Sequence, residues 1–237
     1  MKTSNDLEII ESCMGCKVVR KGFFCGFSPP VLRSFDAVSH HTVMSAGSML
    51  FVEGQTPRGV FMLCSGTVKL STTSKEGKVL ILKQSEAGEI LGLSAVISGT
   101  NYEMSAETVG PCQLDFIGRK DFMAVLQQDS EAGMQAALWL SREFQGAYRD
   151  IHDLVLARSS SGKLARLLLS CAPPGILPST ERPLRPAMTH EEMAQRIGSS
   201  RETVTRLLTI LKKKRLIRSD GSTLVIRDRS GLQALAV

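Results

Sequence analysis

"THEEMAQRIGSSRETVTRLL", residues 189–208, holds two short helical patterns joined across a single glycine. Thr189 and Glu192 stand three residues apart, the spacing of a capping box that starts a helix. Ala194 is small enough for a second helix to approach closely, and Gly198 falls at the sharp turn. Val204 lies inside the second helix, where it locks the pair. The apolar positions Val204, Leu207, Leu208 and Leu211 recur at helical spacing. The spacing as a whole predicts a helix-turn-helix.

The second helix starts at Ser199 or Ser200, which puts Arg201, Glu202, Thr205 and Arg206 on its first turns. In a helix-turn-helix that end enters the major groove, so these four are the expected base readers. An arginine fork matches the O6 and N7 acceptors of guanine, and a carboxylate accepts from cytosine N4. Glu202 has a second reading, as the partner of Ser199 in another capping box, and the two roles are compatible. Lys212, Lys213, Lys214 and Arg215 suit phosphates or solvent better than bases. "LIRSDGSTLVIRD" (216–228) reads as a β-hairpin turning at Asp220-Gly221, the wing of a winged helix.

Charge supports this division. From Arg158 onward there are 15 Lys and Arg against 6 Asp and Glu, while the preceding residues hold 14 against 17. A basic final third on a slightly acidic body suits a polyanion partner, although a solvated surface carries the same signature. Hydrophobic content of 43 % and charged content of 22 % are those of a globular protein. No apolar run reaches the roughly 18–20 residues that span a bilayer. The start lacks the basic-then-apolar order of a signal peptide, so the cytoplasm is the expected location. In that reducing compartment six cysteines suggest metal ligands, redox switches or buried apolar residues rather than structural disulfides.

Between Val43 and Ile117 the chain changes character. Short β-type runs ("MLFV", "VFMLC", "TVKLSTT", "VLILKQ", "CQLDFI") alternate with glycines at Gly47, Gly54, Gly66, Gly77, Gly88, Gly92 and Gly99. Regular short strands with glycine turns predict an antiparallel barrel or jelly roll. From Lys120 to Leu156 the turn signals vanish. Leu140, Phe144, Ala147, Ile151, Leu154 and Arg158 then advance by three or four along one helical stripe, which suits either a coiled-coil seam with a second copy or packing within the chain. "RSSSGK" (158–163) reads as a hinge, and the prolines of 172–186 force a loop. The expected fold is α+β: a cysteine-bearing leader (1–28), a β-barrel sensor domain (29–119), a dimerisation helix (120–158) and a winged helix-turn-helix (159–237).

Over nearly all its length the chain resembles the CRP/FNR superfamily of bacterial transcription regulators. "AGSMLFVEGQTPRGVFMLCSGTVKLS" and "AGEILGL" are similar to that family's cyclic-nucleotide-binding-type barrel, and "SRETVTR" to its recognition helix. The resemblance implies a homodimer on a palindromic double-stranded DNA operator, acting with RNA polymerase, with Thr189, Ser200 and Thr203 on phosphates. The nucleotide-binding branch follows its "GELGL" with an Arg-Ser pair that holds the cyclic phosphate. Here the corresponding "SGTNYEMSAET" (98–108) contains no arginine, which leaves a buried phosphate poorly compensated.

The FNR branch carries three leader cysteines and a fourth in the barrel. Cys13, Cys16 and Cys25 form C-x2-C-x8-C, and Cys112 in "ETVGPCQLDF" stands in register with the distant ligand. The resemblance therefore implies a 4Fe–4S cluster on these four thiolates that senses oxygen or another redox signal. The second gap is longer than in the best-known pattern, and zinc or a thiol switch suits the same residues. The alternative reading is a regulator of this type without a cluster, responding to thiol redox state or to a small-molecule effector in the barrel. Asp150 aligns with an acid that resists dimer formation in FNR-type proteins; a solvated surface carboxylate is the other reading. Arg201 stands where FNR-type proteins have an apolar residue, which leans the half-site toward TGTGA over TTGAT. An enzyme is not expected: the histidines are His40, His41, His152 and His190, without ligand spacing, and no nucleophile motif or Walker loop occurs.

Overall fold

The computed structural model describes residues 22–156, 159–171, 188–221 and 223–236. Cys13 and Cys16, and the 172–186 loop, lie outside these residues; so do the side chains of Cys25, Asp150, Ile151 and Leu154. The chain divides into two compact units, one running to Gln145 without residues 78–80, the other continuing from Gly146.

The first unit opens with a 3-10 turn, Phe24–Gly26, and helix α1, Pro29–Asp36, whose first residues are prolines. Proline suits that position because the first-turn N–H has no helical partner to lose. Eight strands follow: β1 (Ser39–Met44), β2 (Met49–Phe51), β3 (Gly59–Ser65), β4 (Thr67–Thr73), β5 (Val79–Glu86), β6 (Ile90–Leu91), β7 (Ser105–Thr108) and β8 (Cys112–Gly118). Helix α2, Leu93–Ser98, interrupts them. They form two four-stranded sheets, β1-β8-β3-β6 and β2-β7-β4-β5, with antiparallel pairing at every recorded register. Each glycine expected in a turn has a positive φ, and Gly66 shows why one is required. Its φ is +95°, and a Cβ there would stand 2.6 Å from Cys112 Sγ.

Strands β3, β6 and β8 carry apolar residues on both faces of the sheet β1-β8-β3-β6. Leu63 and Leu114 point inward to a core shared with Phe51, Val68, Leu70 and Ala106 of the other sheet. Val60, Met62, Cys64, Ile90 and Ile117 point outward, where helices and leader aromatics bury them. Two helices follow β8: α3 (Arg119–Gln128) and α4 (Ser130–Leu156). The single helix expected from Lys120 is thus broken at Asp129. That residue is extended, and its carboxylate accepts from the N–H groups of Glu131 and Ala132, so it starts α4.

The α4 stripe also departs from expectation. Leu140 packs against the outward core of its own chain rather than lying on an open seam. Phe144 and Ala147 are exposed, and among the described side chains of α4 the large exposed apolar ones are Met134, Leu138, Phe144 and Tyr148.

The second unit holds α5 (Ser160–Ser170), α6 (His190–Ile197), α7 (Arg201–Lys213), β9 (Ile217–Asp220), β10 (Thr223–Ile226) and α8 (Arg229–Leu235). The expected hinge at 158–163 is largely helical: Ser159 caps α5 by accepting from the Gly162 N–H. Leu164 and Leu168 meet Met193, Ile197, Val204, Leu208 and Leu211 in one core. β9 and β10 pair antiparallel as the expected hairpin. Among the described residues no helix is long and apolar enough to cross a membrane.

One clamp fixes the leader to α4. Glu131 accepts from the backbone N–H of Ser28 at 2.7 Å and from its hydroxyl at 2.6 Å. Glu131→Ala is expected to destabilise the barrel unit by about 1–3 kcal/mol, because the Ser28 N–H loses a charged acceptor. Ser28→Ala keeps the backbone bond and is expected to cost about 0.5–1.5 kcal/mol. Denaturant melts of the three proteins check the order.

Candidate functional site

The helix-turn-helix is built by its caps. Thr189 accepts from the Glu192 N–H, and the Glu192 carboxylate accepts from the Thr189 N–H at 2.7 Å, which completes the expected capping box. Gly198 closes α6 in the left-handed region at φ 66°. Ser200, rather than Ser199, then caps α7, its hydroxyl oxygen accepting from the Thr203 N–H at 3.2 Å. The residue at the third helical position is therefore Thr203, and the capping box expected between Ser199 and Glu202 does not form.

Arg201, Glu202, Thr205 and Arg206 are all exposed on the first turns of α7, while Val204 and Leu208 between them are buried. Glu202 remains tied to the helix start in another way. Its own backbone N–H, then the Ser200 hydroxyl and the neighbouring Arg201 charge, hold its carboxyl below the usual carboxylate range. It is thus an ionised acceptor at the tip of the helix, between two guanidinium groups in sequence. The hydroxyls of Thr189, Ser200 and Thr203 all take part in the caps.

A contact that the sequence reading missed joins α6 to α7. His190 Nδ1 lies 2.9 Å from Thr205 Oγ1, and that hydroxyl donates to the Arg201 carbonyl at 2.9 Å. Only the α7 face of Thr205 was legible in the sequence, because nothing in the spacing of His190 and Thr205 marks them as neighbours. At the far end of α7, Arg215 has φ 58°, the one positive φ outside glycine among the described residues. Helix ends usually place glycine there, and a larger residue costs about 1–2 kcal/mol.

In the barrel, the stretch expected to lack a phosphate-holding arginine contributes Tyr102 instead. Its ring stacks on Phe51 with centroids 4.0 Å apart, and its hydroxyl donates to the Gly59 carbonyl at 2.7 Å. Alongside, α4 brings Glu143 near Glu89, Glu103 and Lys83. Burial pushes the Glu143 carboxyl up, Lys83 opposes this, and the two other acids reinforce it. His41, on β1, pairs with the buried Asp115 of β8 at 2.6 Å. That hydrogen bond raises the His41 pKa against the smaller opposing effect of burial.

The leader reaches the barrel through its aromatics. Phe23 lies edge-on to Phe24, Phe27 and Trp139, the last on α4, with centroids 5.3, 5.4 and 5.8 Å away. Cys25 sits in the turn between these phenylalanines, and they share the outward core with Cys64. Cys112 belongs to the other core, between the sheets. Its thiol is fully buried and donates to the Thr67 carbonyl at 3.3 Å and the Gly110 carbonyl at 3.4 Å.

Comparison with known proteins gives two matching family models: the cyclic nucleotide-binding domain over residues 42–129, and the Crp-like helix-turn-helix domain over residues 162–235. The chain is 27 % identical over 198 residues to the cAMP-activated global transcriptional regulator CRP of Haemophilus influenzae, covering 83 % of this chain and 88 % of the relative. It is similar to TTHA1359, a CRP/FNR-family transcriptional regulator of Thermus thermophilus, at 26 % identity and a TM-score of 0.67, covering 83 % and 98 % of the two chains. The c-di-GMP responsive regulator CLP of Xanthomonas campestris shares the fold, with a TM-score of 0.71 at 22 % identity and coverage of 84 % and 99 %.

A cysteine that binds a metal or an iron–sulfur cluster does so as its thiolate. Burial raises the pKa of Cys112, and its S–H is committed to carbonyl acceptors. As folded, Cys112 does not fit the expected ligand role, since it would have to lose its proton and leave both carbonyls. Cys112 is therefore expected to resist alkylation by iodoacetamide at neutral pH until the barrel unfolds. Mass spectrometry of native and denatured protein checks this, and rapid native labelling of Cys112 would contradict the buried-thiol geometry.

Proposed function

Because the chain belongs to the CRP/FNR superfamily of transcription regulators, with a cyclic nucleotide-binding domain and a Crp-like helix-turn-helix in one polypeptide, we propose that it works as a homodimer reading a palindromic operator. The observation that carries this reading is the capped helix α7, which presents Arg201, Glu202, Thr205 and Arg206 in one exposed row. Arg201 and Arg206 supply guanidinium forks for guanine, and the ionised Glu202 accepts from cytosine N4. Lys212 and Lys213 end the same helix and Lys214 caps it, all three exposed cations for phosphates. The operator-bound dimer acts through RNA polymerase.

The dimer seam follows the exposed apolar residues Met134, Leu138, Phe144 and Tyr148 of α4. Two copies of this row bury apolar area that a single chain leaves in water.

The signal enters through the cysteine leader. Support comes from the packing of Phe23 and Phe27 and the Ser28–Glu131 clamp, which tie the Cys25 turn to the start of α4. A change at the leader thus acts on the helix that makes the seam. Cyclic AMP is not the favoured effector, since residues 98–108 supply no arginine for its phosphate and Tyr102 stacks on Phe51 in the core between the sheets. Cys13, Cys16 and Cys25, with Cys112 in register, favour a 4Fe–4S cluster, which supplies redox- and oxygen-sensitive chemistry when bound. The buried, hydrogen-bonded Cys112 favours the second reading, thiol redox among the leader cysteines without a cluster.

Anaerobic purification with iron and sulfide analysis separates the two. The cluster form is expected to give four irons per chain in the unmodified protein and none in Cys13→Ser, Cys16→Ser, Cys25→Ser or Cys112→Ser. Iron-free protein with a leader disulfide in air supports the thiol form, and a Cys112→Ser variant that keeps its iron removes Cys112 from the ligand set. Binding-site selection tests the DNA reading: the unmodified protein is expected to recover TGTGA-type half-sites, and Arg201→Val to shift preference toward TTGAT by about tenfold, within the 1–3 kcal/mol of one bidentate contact. TTGAT recovered by the unmodified protein would move Arg201 to a phosphate.

A further inference from the structure

Thr205 is exposed, yet its hydroxyl is spent within the protein. Its single hydrogen goes to the Arg201 carbonyl at 2.9 Å. His190 Nδ1 lies 2.9 Å from the same oxygen. With the hydroxyl hydrogen already committed, Nδ1 must be the donor, which fixes the proton of a neutral His190 on Nδ1. A threonine bonded only to the carbonyl one turn back is free to exchange rotamers at the loss of one bond. Here a second bond arrives from α6, so rotation about χ1 breaks two. What Thr205 has left for an outside partner is its methyl group and one acceptor lone pair, and it has no hydrogen left to donate.

We propose that His190 is a positioning residue that turns the Thr205 methyl toward DNA, so that Thr205 reads thymine through the C5-methyl group. The inference rests on the placement of Thr205 among the base-reading residues. Apolar contact with a threonine methyl is one of the ways thymine is told from the other bases, whereas a freely turning hydroxyl accepts from or donates to either edge. Shielding one methyl from water changes affinity by about fourfold.

Deoxyuridine tests this directly, because it differs from thymidine only in lacking that methyl. Each thymine of an operator recovered by selection is replaced singly by deoxyuridine, and binding is followed by fluorescence anisotropy with the full-length chain. One position per half-site is expected to lose about fourfold in affinity with the unmodified protein and with Thr205→Val, which keeps a methyl. The loss is expected to vanish in Thr205→Ser, which keeps only the hydroxyl. It is expected to shrink in His190→Ala and return in His190→Asn, whose amide N–H replaces Nδ1–H. A merely structural role for His190 would weaken thymine and uracil operators alike and leave their ratio unchanged, which overturns the proposal. So does indifference of the unmodified protein to every deoxyuridine, or a penalty that survives in Thr205→Ser. Failure of the underlying reading looks different: selection then recovers no operator, or Arg201→Ala and Arg206→Ala leave sequence preference untouched.

Discussion

A sheet whose inner strands carry apolar residues on both faces must be covered twice, and in this chain the second cover is assembled from distant pieces. The inward face of β1-β8-β3-β6 meets the other sheet, which is local work for neighbouring strands. The outward face needs Phe23, Phe24 and Phe27 from the leader, Phe35 from α1, Phe122 from α3 and Ala132 and Ala136 from α4. Each fully buried aromatic or aliphatic side chain contributes about 1.5–3 kcal/mol. The leader turn and the first turns of α4 thus share one core, so neither can move without exposing it. The Ser28–Glu131 clamp adds direction to what apolar contact leaves unspecified: it fixes which turn of α4 the leader meets.

This arrangement explains why the exposed row of α4 differs from the stripe read along its sequence. The helix has apolar residues on more than one side. Ala132, Ala136 and Leu140 turn toward the barrel, while Met134, Leu138, Phe144 and Tyr148 turn away. Periodicity reports that both sets are helical but not which one faces the chain's own core. Leu140 continues the inward set by one more turn, and Phe144 begins to leave it.

Elsewhere, legibility followed the strength of the local signal. β3, β4 and β8 are dense in β-branched and aromatic residues between glycines, and the sequence located them. β1, "SHHTVM", carries two histidines and no apolar alternation, because one of its partners is the buried Asp115 rather than a core leucine. The break at Asp129 was written as an Asp-Ser capping signal but was masked by helical residues on both sides. The helix-turn-helix was legible because its caps are local: Thr189 with Glu192, and Gly198 at the turn. The hydrogen bond between His190 and Thr205 spans fifteen residues and two helices, so no local pattern announces it.

The same contrast bears on how α7 divides its labour. Its exposed tip carries opposed charges close together, Arg201 and Arg206 around an ionised Glu202. An unrestrained glutamate would pair with either arginine and blunt both as readers. Here its own backbone N–H and Ser200 lower the pKa of the acid more than the Arg201 charge does. The positive end of the helix thus favours the ionised acid without the help of an arginine. Specific recognition needs groups that hold their geometry before the partner arrives, since ordering them afterward costs about 0.5–1.5 kcal/mol per side chain. The caps that begin α7 therefore serve its recognition surface as much as its helicity.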